Sequence, residues 1–321
     1  MKAVFFEEFG DSSVLRYGDW PDPEPGPNEV LIDVHAASVN PRDWLIREGR
    51  YFAKPILPKL PFILGSDVAG VVAAVGHQVQ QFQPGDEVMA MRPSSDGFGG
   101  YAERIAVRAS AVAPKPPSMS FAEAAALPLA ALTSLQALRD NANLRHGQTV
   151  LVVGASGGVG TYAVQIAACL GAEVTGVCSA KNADFVRTLG AQNVIDYQTE
   201  RFQDVGGSYD VVYDTIGRES LKSCRTVLKS RGVYVTTVPN VANALASARS
   251  RLLGWLLGQR SRMVLVRSSS TDLELLSGWI EEKRLKSVID LQVPLAEAAR
   301  AHDHSRTFRT RGKNILLVRD P

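Results

Sequence analysis

A glycine-rich turn, GASGGVG (154–160), lies between an apolar run and a helical run, and this order leaves few possible folds. The run before it, TVLVVG (149–154), predicts a buried strand. The run after it, GVGTYAVQIAACLG (158–171), has helical spacing and ends at a glycine. This order of strand, tight turn and helix predicts the first βα unit of an α/β domain.

The spacing inside the turn indicates what it binds. Ala155, Gly157 and Gly160 follow the pattern G-x-G-x-x-G, with alanine in the first place. Gly157 lets the backbone approach a pyrophosphate, Gly160 permits close packing of helix on strand, and the helix N-terminus supplies amide donors. A purely structural tight turn is the alternative. Five residues of the turn are candidate cofactor contacts: Ala155, Ser156, Gly157, Gly158 and Val159.

Strands and helices continue to alternate after this turn, and this favours a doubly wound parallel sheet of the Rossmann type. A helical stretch with a break at Pro128 precedes the turn, over residues 120–138. The later predicted strands are 173–179, 193–197, 209–215, 233–238 and 263–268, and the later predicted helices are 182–190 and 220–232.

The end of the second predicted strand indicates which dinucleotide is bound. An NAD site places an acidic residue about 20 residues after the turn. Here the position is Ser179, followed by Ala180 and Lys181, and no carboxylate is present. A hydroxyl and a cation suit a 2′-phosphate, so the sequence predicts NADPH. Tyr197, at the end of the third strand, is a further candidate beside the adenine; Lys181 as a plain exposed lysine and Tyr197 as packing are the alternatives.

The first 115 residues differ from the rest, because short apolar runs alternate with Gly and Pro turn signals and predict a small, mostly antiparallel β domain. A chain of 321 residues is long enough for two domains. Its net charge of +2 gives no reason to expect a nucleic-acid partner. The N-terminus MKAVFFEEFG has acidic residues by position 7 and does not resemble a secretory signal, so we expect a cytoplasmic protein without a spanning helix.

Two separated motifs, VNPRDWLIREG (39–49) and GASGGVG (154–160), together resemble the zinc-independent quinone oxidoreductases, or zeta-crystallin-like enzymes, of the medium-chain dehydrogenase/reductase family. GDEVMAM (85–91), GGYAE (99–103) and GAQNVIDY (190–197) are similar as well, so the resemblance covers essentially the whole chain. It implies a GroES-like, β-rich catalytic domain over 1–120 and 270–321, a Rossmann domain over 121–269, an active site in the cleft between them, and a homodimer.

The resemblance also bears on zinc. In zinc-dependent relatives a cysteine stands at the place of Asn40, and a histidine stands at the place of Ser66 in GSD (65–67). The loop of closely spaced cysteines that binds a structural zinc is absent from 91–103. Zinc sites need thiolate, imidazole or carboxylate ligands, so we predict no metal. His302 and His304 form an H-x-H pair, which a helix turns to different sides; both are predicted to be surface residues.

By resemblance, three residues after the strand of residues 30–39 are the candidate catalytic groups: Asn40, Asp43 and Tyr51. Asn40 would lie beside the nicotinamide, with helix capping as the alternative, and a structural salt bridge is the alternative for Asp43. Tyr51 would stack on the acceptor or donate its hydroxyl. Trp44 and Phe52 are assigned to packing. Further cofactor contacts are implied at Thr133, Ile216, Val238, Pro239, Lys313 and Asn314.

Without a metal to activate an alkoxide, we expect reduction of an acceptor that is already polarised. The predicted reaction is hydride transfer from NADPH to quinones or to α,β-unsaturated carbonyls such as enones and alkenals. A zinc-type alcohol dehydrogenase and a non-catalytic NADPH-binding structural or membrane-associated protein are the alternatives. Residues 243–264 are apolar and carry four arginines. We assign them to the structure, the substrate cleft or the dimer contact, with contact to an anionic membrane as the less favoured alternative.

Overall fold

The computed structural model describes residues 1–51 and 57–319, and of residues 254–257 it describes the backbone alone. The chain divides into two compact units, one formed by Met1–Leu132 with Arg267–Pro321 and the other by Thr133–Val266. Residues 121–132, which the sequence assigned to the nucleotide-binding domain, therefore fall in the first unit. The exact domain limits at 120 and 270 stay a prediction.

The first unit is built on β-sheets, as the short apolar runs indicated. A sheet of seven strands has the order β15-β16-β3-β5-β6-β8, with β7 also paired to β3, and a smaller sheet has the order β2-β1-β4. All of the pairings are antiparallel except β15 with β16. The strands are β1 Lys2–Phe6, β2 Arg16–Asp19, β3 Glu29–Val39, β4 Phe62–Ile63, β5 Asp67–Val75, β6 Glu87–Met91, β7 Arg104–Arg108, β8 Val112–Pro114, β15 Ile289–Pro294 and β16 Lys313–Leu317.

Strand β3 organises this unit. Its apolar residues Val30, Ile32 and Val34 have no exposed surface and belong to the main core cluster. Two pairings matter for the site, because β3 pairs with β5 through Ser38 and Asp67, and with β16 through Val39 and Asn314. The last strand of the chain thus returns to the first unit.

The second unit contains a six-stranded sheet with the order β11-β10-β9-β12-β13-β14, in which every pairing is parallel. This is the strand order of a doubly wound dinucleotide-binding sheet, in which the order reverses between the first and fourth strands. The predicted fold class is therefore confirmed. The strands are β9 Thr149–Val153, β10 Glu173–Cys178, β11 Asn193–Asp196, β12 Tyr209–Asp214, β13 Leu228–Thr236 and β14 Arg260–Met263.

The helices follow the capping signals of the sequence. Ser120 and Glu123 form a reciprocal capping box at the start of α2, and Pro128 begins α3, so the predicted break at that proline is confirmed. The helices are α1 Pro41–Arg47, α2 Phe121–Ala126, α3 Pro128–Leu135, α4 Gly158–Cys169, α5 Ala183–Thr188, α6 Val241–Leu257, α7 Ser270–Glu281 and α8 Ala298–Arg306.

Two predicted elements of the second unit are wrong. The helix expected over 220–232 is a series of turns followed by β13. Ser223 Oγ donates to the Glu219 carboxylate at 2.7 Å and its amide donates to Ser220 Oγ at 3.1 Å, and such local hydrogen bonds compete with a helix. The strand expected over 263–268 is instead β14, Arg260–Met263, which begins earlier because the pairing with β13 sets its register.

Candidate functional site

Asn40 lies at the junction of β3 and α1, and its side chain is buried. Its backbone is extended, with φ −122° and ψ 151°, and Pro41 follows as the first helical residue. The backbone N–H of Asn40 donates to the Asp43 carboxylate at 2.8 Å. This contact satisfies one amide at the start of the helix and fixes the backbone from which the Asn40 side chain projects.

The side-chain amide of Asn40 is held at both ends. Its Nδ2 donates to Asp67 Oδ2 at 2.9 Å and makes a longer contact with the Ser38 carbonyl at 3.4 Å. Its Oδ1 accepts from Lys313 Nζ at 2.5 Å. The reversed amide would direct its NH₂ at an ammonium group and its oxygen at a carboxylate, so these neighbours permit one orientation. Both N–H groups of Asn40 therefore point into the protein.

Asp67 and Lys313 are the charged groups behind this amide. Asp67 Oδ1 accepts from the Leu129 backbone amide at 3.0 Å, and Lys313 Nζ lies 3.9 Å from Asp67 Oδ2. Burial raises the pKa of Asp67 to about 6, although Lys313 acts in the opposite direction. Burial likewise lowers the pKa of Lys313, and Asp67 opposes that shift. Each charge thus limits the cost of burying the other.

A second buried chain of contacts starts at Asp43. Tyr101 donates its hydroxyl proton to Asp43 Oδ2 at 2.8 Å, His302 Nε2 lies 3.3 Å from the same hydroxyl, and Arg47 Nη1 lies 3.3 Å from His302 Nδ1. Burial lowers the pKa of His302 to about 3, so its ring is neutral at physiological pH. The prediction that His302 is a surface residue is wrong, because α8 packs this side against the core; His304 is partly exposed and contacts Asp290.

The other candidates around Asn40 are placed as follows. Arg42 donates to the Ser66 hydroxyl, at the position where a zinc-dependent relative carries histidine. Arg42 Nε lies 4.0 Å from Asp43 Oδ1, and this ion pair matches the structural salt bridge that was the alternative role for Asp43. Tyr51 is half-buried against the core of this unit, and burial raises its pKa. Trp44 is buried and packs edge-on to Phe308; Phe52 lies outside the described residues.

In the second unit the glycine-rich turn follows β9, and α4 begins directly after it at Gly158. A Cβ added to Gly160 would lie 2.0 Å from the Gly154 carbonyl oxygen, so helix and strand approach closely there. A Cβ on Gly157 would meet only that same oxygen, at 3.5 Å, and Gly157 has an ordinary φ of −80°. Gly160 therefore serves internal packing, whereas an approach of a ligand to Gly157 from outside the turn stays a prediction.

Two hydroxyl groups, those of Ser156 and Ser179, lie near the end of β10. Asn182 Nδ2 donates to Ser156 Oγ at 3.1 Å and approaches Ser179 Oγ at 3.4 Å, which links the glycine turn to the end of β10. Lys181 is exposed one position before Asn182. Tyr197 is 60% exposed, and its amide donates to the Cys178 carbonyl, so it lies beside the same strand end. The structure thus brings Ser156, Ser179 and Tyr197 to one edge of the sheet.

The remaining candidates lie at other strand ends or in the interior. Ile216 follows β12, and its side chain lies 2.6 Å from where a Cβ on Gly154 would be. Val238 and Pro239 follow β13, and the Val238 side chain lies 2.5 Å from where a Cβ on Gly217 would be. Thr133 is buried in α3. Asn314 is buried in β16, where its Nδ2 donates to the Ala301 carbonyl at 3.3 Å. Cofactor contact by any of these residues stays a prediction.

Two members of the buried network, Asp67 and Tyr101, were not among the sequence candidates. Tyr101 lies in GGYAE (99–103), which carried the resemblance, and Asp67 lies in GSD (65–67), where the chain differs from zinc-dependent relatives. An acidic residue at the start of the apolar strand β5 was the available signal, because a carboxylate entering a core needs a partner. The partner is visible only once β3 and β5 pair in register.

Among the residues that the structure describes, no group of three or more His, Cys, Asp or Glu is placed to hold a metal ion. The positions around the end of β3 are occupied by Asn40, Ser66 and Lys313, and none of these side chains offers a thiolate or an imidazole. The prediction that the protein works without a metal rests on these residue types and stays a prediction.

Two family models match the chain. Residues 26–117 match the alcohol dehydrogenase GroES-like domain, and residues 189–316 match a zinc-binding dehydrogenase model. The first match falls within the β-rich unit and the second covers strands of the parallel sheet together with the final strand. The second description names zinc, whereas this chain carries Asn40 and Ser66 where zinc-dependent relatives carry a cysteine and a histidine.

Full-length relatives resemble the chain as well. It is 35% identical to the chloroplastic quinone-oxidoreductase QR1 of Triphysaria versicolor, with 98% of each chain covered. It is 34% identical to the 2-methylene-furan-3-one reductase of Solanum lycopersicum, covering 98% of this chain and 79% of that one. The solved structure of Escherichia coli quinone oxidoreductase complexed with NADPH matches with a TM-score of 0.84 and 26% identity, over 99% of this chain and 100% of that chain.

Proposed function

The chain belongs to the zinc-independent quinone oxidoreductases of the medium-chain dehydrogenase/reductase family, and we propose that it is an NADPH-dependent, metal-free reductase of quinones or α,β-unsaturated carbonyls. The single observation that carries this proposal is the arrangement of Asn40. Its amide is fixed between Asp67 and Lys313 at a strand end where a zinc-dependent relative needs a thiolate. Such a site can position a cofactor or an acceptor, but it has no ligand set of the zinc-dependent kind.

The residues at the carboxyl ends of the parallel strands fit NADPH. The first amides of α4 have no helical partner and point at the turn, where they would hold the pyrophosphate. Ser179 and Lys181 stand where an NAD site needs a carboxylate, and they would hold a 2′-phosphate. When bound, the reduced nicotinamide supplies the hydride. The Escherichia coli relative, which was solved with NADPH, supports the same cofactor.

The orientation of Asn40 limits what it can do to an acceptor. Both N–H groups are directed at Asp67 and Ser38, so only its Oδ1, which also accepts from Lys313, faces other groups as an acceptor. Asn40 would therefore accept a hydrogen bond rather than polarise a substrate oxygen. We assign that polarising role to the hydroxyl of Tyr51, which is half-buried in the same unit and, as a phenol, keeps its proton at physiological pH.

The acceptor class is a quinone or an enone, because both are polarised before they bind and need only a hydride and a hydrogen-bond donor. Two relatives support these classes, one named a quinone oxidoreductase and the other a reductase of 2-methylene-furan-3-one. A cytoplasmic location, a homodimer and an active site in a cleft between the domains remain proposals for this chain.

The test is NADPH oxidation by the purified protein with a panel of quinones, enones and alkenals, followed by the loss of absorbance of the reduced nicotinamide. We expect turnover of at least one acceptor class, and Tyr51→Phe should lower kcat more than it changes the KM for NADPH. Tight NADPH binding without turnover of any acceptor would instead support the non-catalytic alternative.

A further inference from the structure

Helix α6 has an inverted distribution of side chains, with polar residues inward. Ser247 and Ser250 are 6% and 3% exposed and face strand β14. The Ser261 amide donates to Ser250 Oγ at 2.8 Å, and the Met263 amide donates to Ser247 Oγ at 3.3 Å. The inner face of α6 thus attaches to its sheet through hydroxyl groups, whereas a helix on the surface of a globular protein normally attaches through an apolar face.

The outer face of α6 carries the large apolar residues. Val241, Leu245 and Leu252 are 77%, 66% and 77% exposed. With Ala248 they follow spacings of four, three and four residues, which place all of them within an arc of about 60° at about 100° per residue. A continuous apolar stripe of this kind on the surface marks a place where something binds.

Positive charge surrounds the stripe. Arg249 and Arg251 lie on its two flanks, each within about 100° of its midline. From residue 220 to residue 266 the sequence contains eight Lys or Arg and no Asp or Glu, although the whole chain has a net charge of only +2. Arg251 and Arg260 also act on Arg262, whose pKa is lowered by burial and by these like charges. The charge around α6 is therefore concentrated and favours an anionic partner.

We propose that α6 docks on the surface of an anionic lipid bilayer, with its axis in the plane of the interface. The stripe of Val241, Leu245, Ala248 and Leu252 would enter the boundary between headgroups and acyl chains, and Arg249 and Arg251 would reach lipid phosphates. The proposed contact is peripheral, because the helix lies along the interface. Among the described residues, no helix is long and apolar enough to cross a membrane. This attachment goes beyond the proposed reaction and does not depend on it.

A second copy of the chain is a poorer occupant of this face. If two α6 helices packed stripe to stripe, the flanking Arg249 and Arg251 of each would approach the same residues of the other. Helix α6 contains no acidic residue that could pair with them. Apolar burial would then be opposed by repulsion between like charges, whereas lipid phosphates satisfy both the stripe and its flanks.

The test is flotation of the full-length protein with vesicles of phosphatidylcholine alone or of phosphatidylcholine with phosphatidylserine. We expect binding to the vesicles that contain phosphatidylserine, weak binding to the neutral ones, and release at high salt. Arg249→Gln with Arg251→Gln should weaken binding about 25-fold, because each basic side chain near an anionic surface contributes about fivefold. Leu245→Ser with Leu252→Ser should weaken it at least about tenfold.

Matched controls lie elsewhere in the same unit. Arg187→Gln with Arg201→Gln removes two exposed charges, and Val205→Ser removes an exposed apolar residue; both variants should bind vesicles like the wild type. No binding to anionic vesicles at physiological salt, or equal binding of the α6 and control variants, would overturn the proposal. So would sedimentation velocity that shows a lipid-free dimer which Leu245→Ser with Leu252→Ser dissociates, because α6 would then be a self-interface.

Discussion

Lys313 Nζ lies 2.5 Å from the Oδ1 of Asn40, across 273 residues of sequence, and both side chains are buried. The contact joins the last strand of the chain to the end of β3, where the candidate site begins. Because Asp67 holds the other end of the same amide, the two charged residues fix the orientation of Asn40. Lys313 was predicted to face the cofactor or substrate. Its contacts in the structure suit a positioning residue behind Asn40.

Lys313→Met tests this arrangement, because methionine keeps the apolar stem and removes the ammonium group. Asp67 would be left buried without its counter-charge, so the free energy of unfolding should fall by about 3 kcal/mol. Denaturant titration measures this change, and Lys222→Met at an exposed position should alter it by less than about 0.5 kcal/mol. Asp67→Asn in the Lys313→Met background should recover part of the loss. A Lys313→Met protein as stable as the wild type would show that the pair contributes nothing.

The pKa of Asp67 predicts a pH dependence of stability. Burial raises it from 3.8 to about 6, so between these pH values the folded protein holds a proton that the unfolded chain releases. The stabilisation from Asp67 is therefore complete below about pH 4 and is lost as the pH rises through about 6. The stability of the wild type minus that of Asp67→Asn should decrease over this window by about 3 kcal/mol. Asp204→Asn, at an exposed site, is the control; a difference curve that is flat for Asp67→Asn would refute the shift.

Gly157 and Gly160 form a matched pair within one turn. Gly160→Ala places a Cβ 2.0 Å from a backbone oxygen and should cost about 2 kcal/mol or more of stability. Gly157→Ala meets nothing closer than 3.5 Å and should change stability by less than about 1 kcal/mol. Its new methyl group should nevertheless weaken NADPH binding, measured by fluorescence titration. Equal stability of the two variants, or unchanged NADPH affinity in Gly157→Ala, would contradict these roles.

Lys181→Glu tests the choice between NADPH and NADH. A charge-assisted hydrogen bond to the 2′-phosphate contributes about 1.5–3 kcal/mol, so replacing it with repulsion should raise the KM for NADPH at least about tenfold. The KM for NADH should change little, because NADH has no phosphate at this position. Lys222→Glu, exposed elsewhere in the same unit, should leave both values unchanged. If the two cofactors weaken equally in Lys181→Glu, the assignment of the phosphate is wrong.

Much of the fold could be predicted from local patterns. The glycine turn, the apolar strands β9, β10 and β12 and the break at Pro128 each depend on neighbouring residues, and all were found. The segment 220–232 has helical spacing, but Ser220 and Ser223 bond locally and the chain turns instead. The exact extent of β14 depends on its pairing with β13, which a single sequence does not show.

The candidate site was harder to predict because its contacts join distant segments. Asn40 was identified at a strand end, but the orientation of its amide depends on the register of β5 and β16 with β3. His302 was assigned to the surface from the H-x-H spacing, which gives it no metal-binding partner in His304, whereas the packing of α8 buries it beside Tyr101. The polar side chains of this core form hydrogen bonds between segments that are far apart in the sequence. Spacing in the sequence therefore does not show which residues are in contact.

The proposed function requires this chain to reduce a polarised acceptor with NADPH and without a metal. The most direct measurement is the rate of NADPH oxidation with the best acceptor of the panel, before and after exhaustive dialysis against a chelator, with zinc quantified in the same samples. We expect equal kcat in both samples and far less than one zinc per chain. Activity that disappears with the metal and returns with stoichiometric zinc would contradict the proposed function.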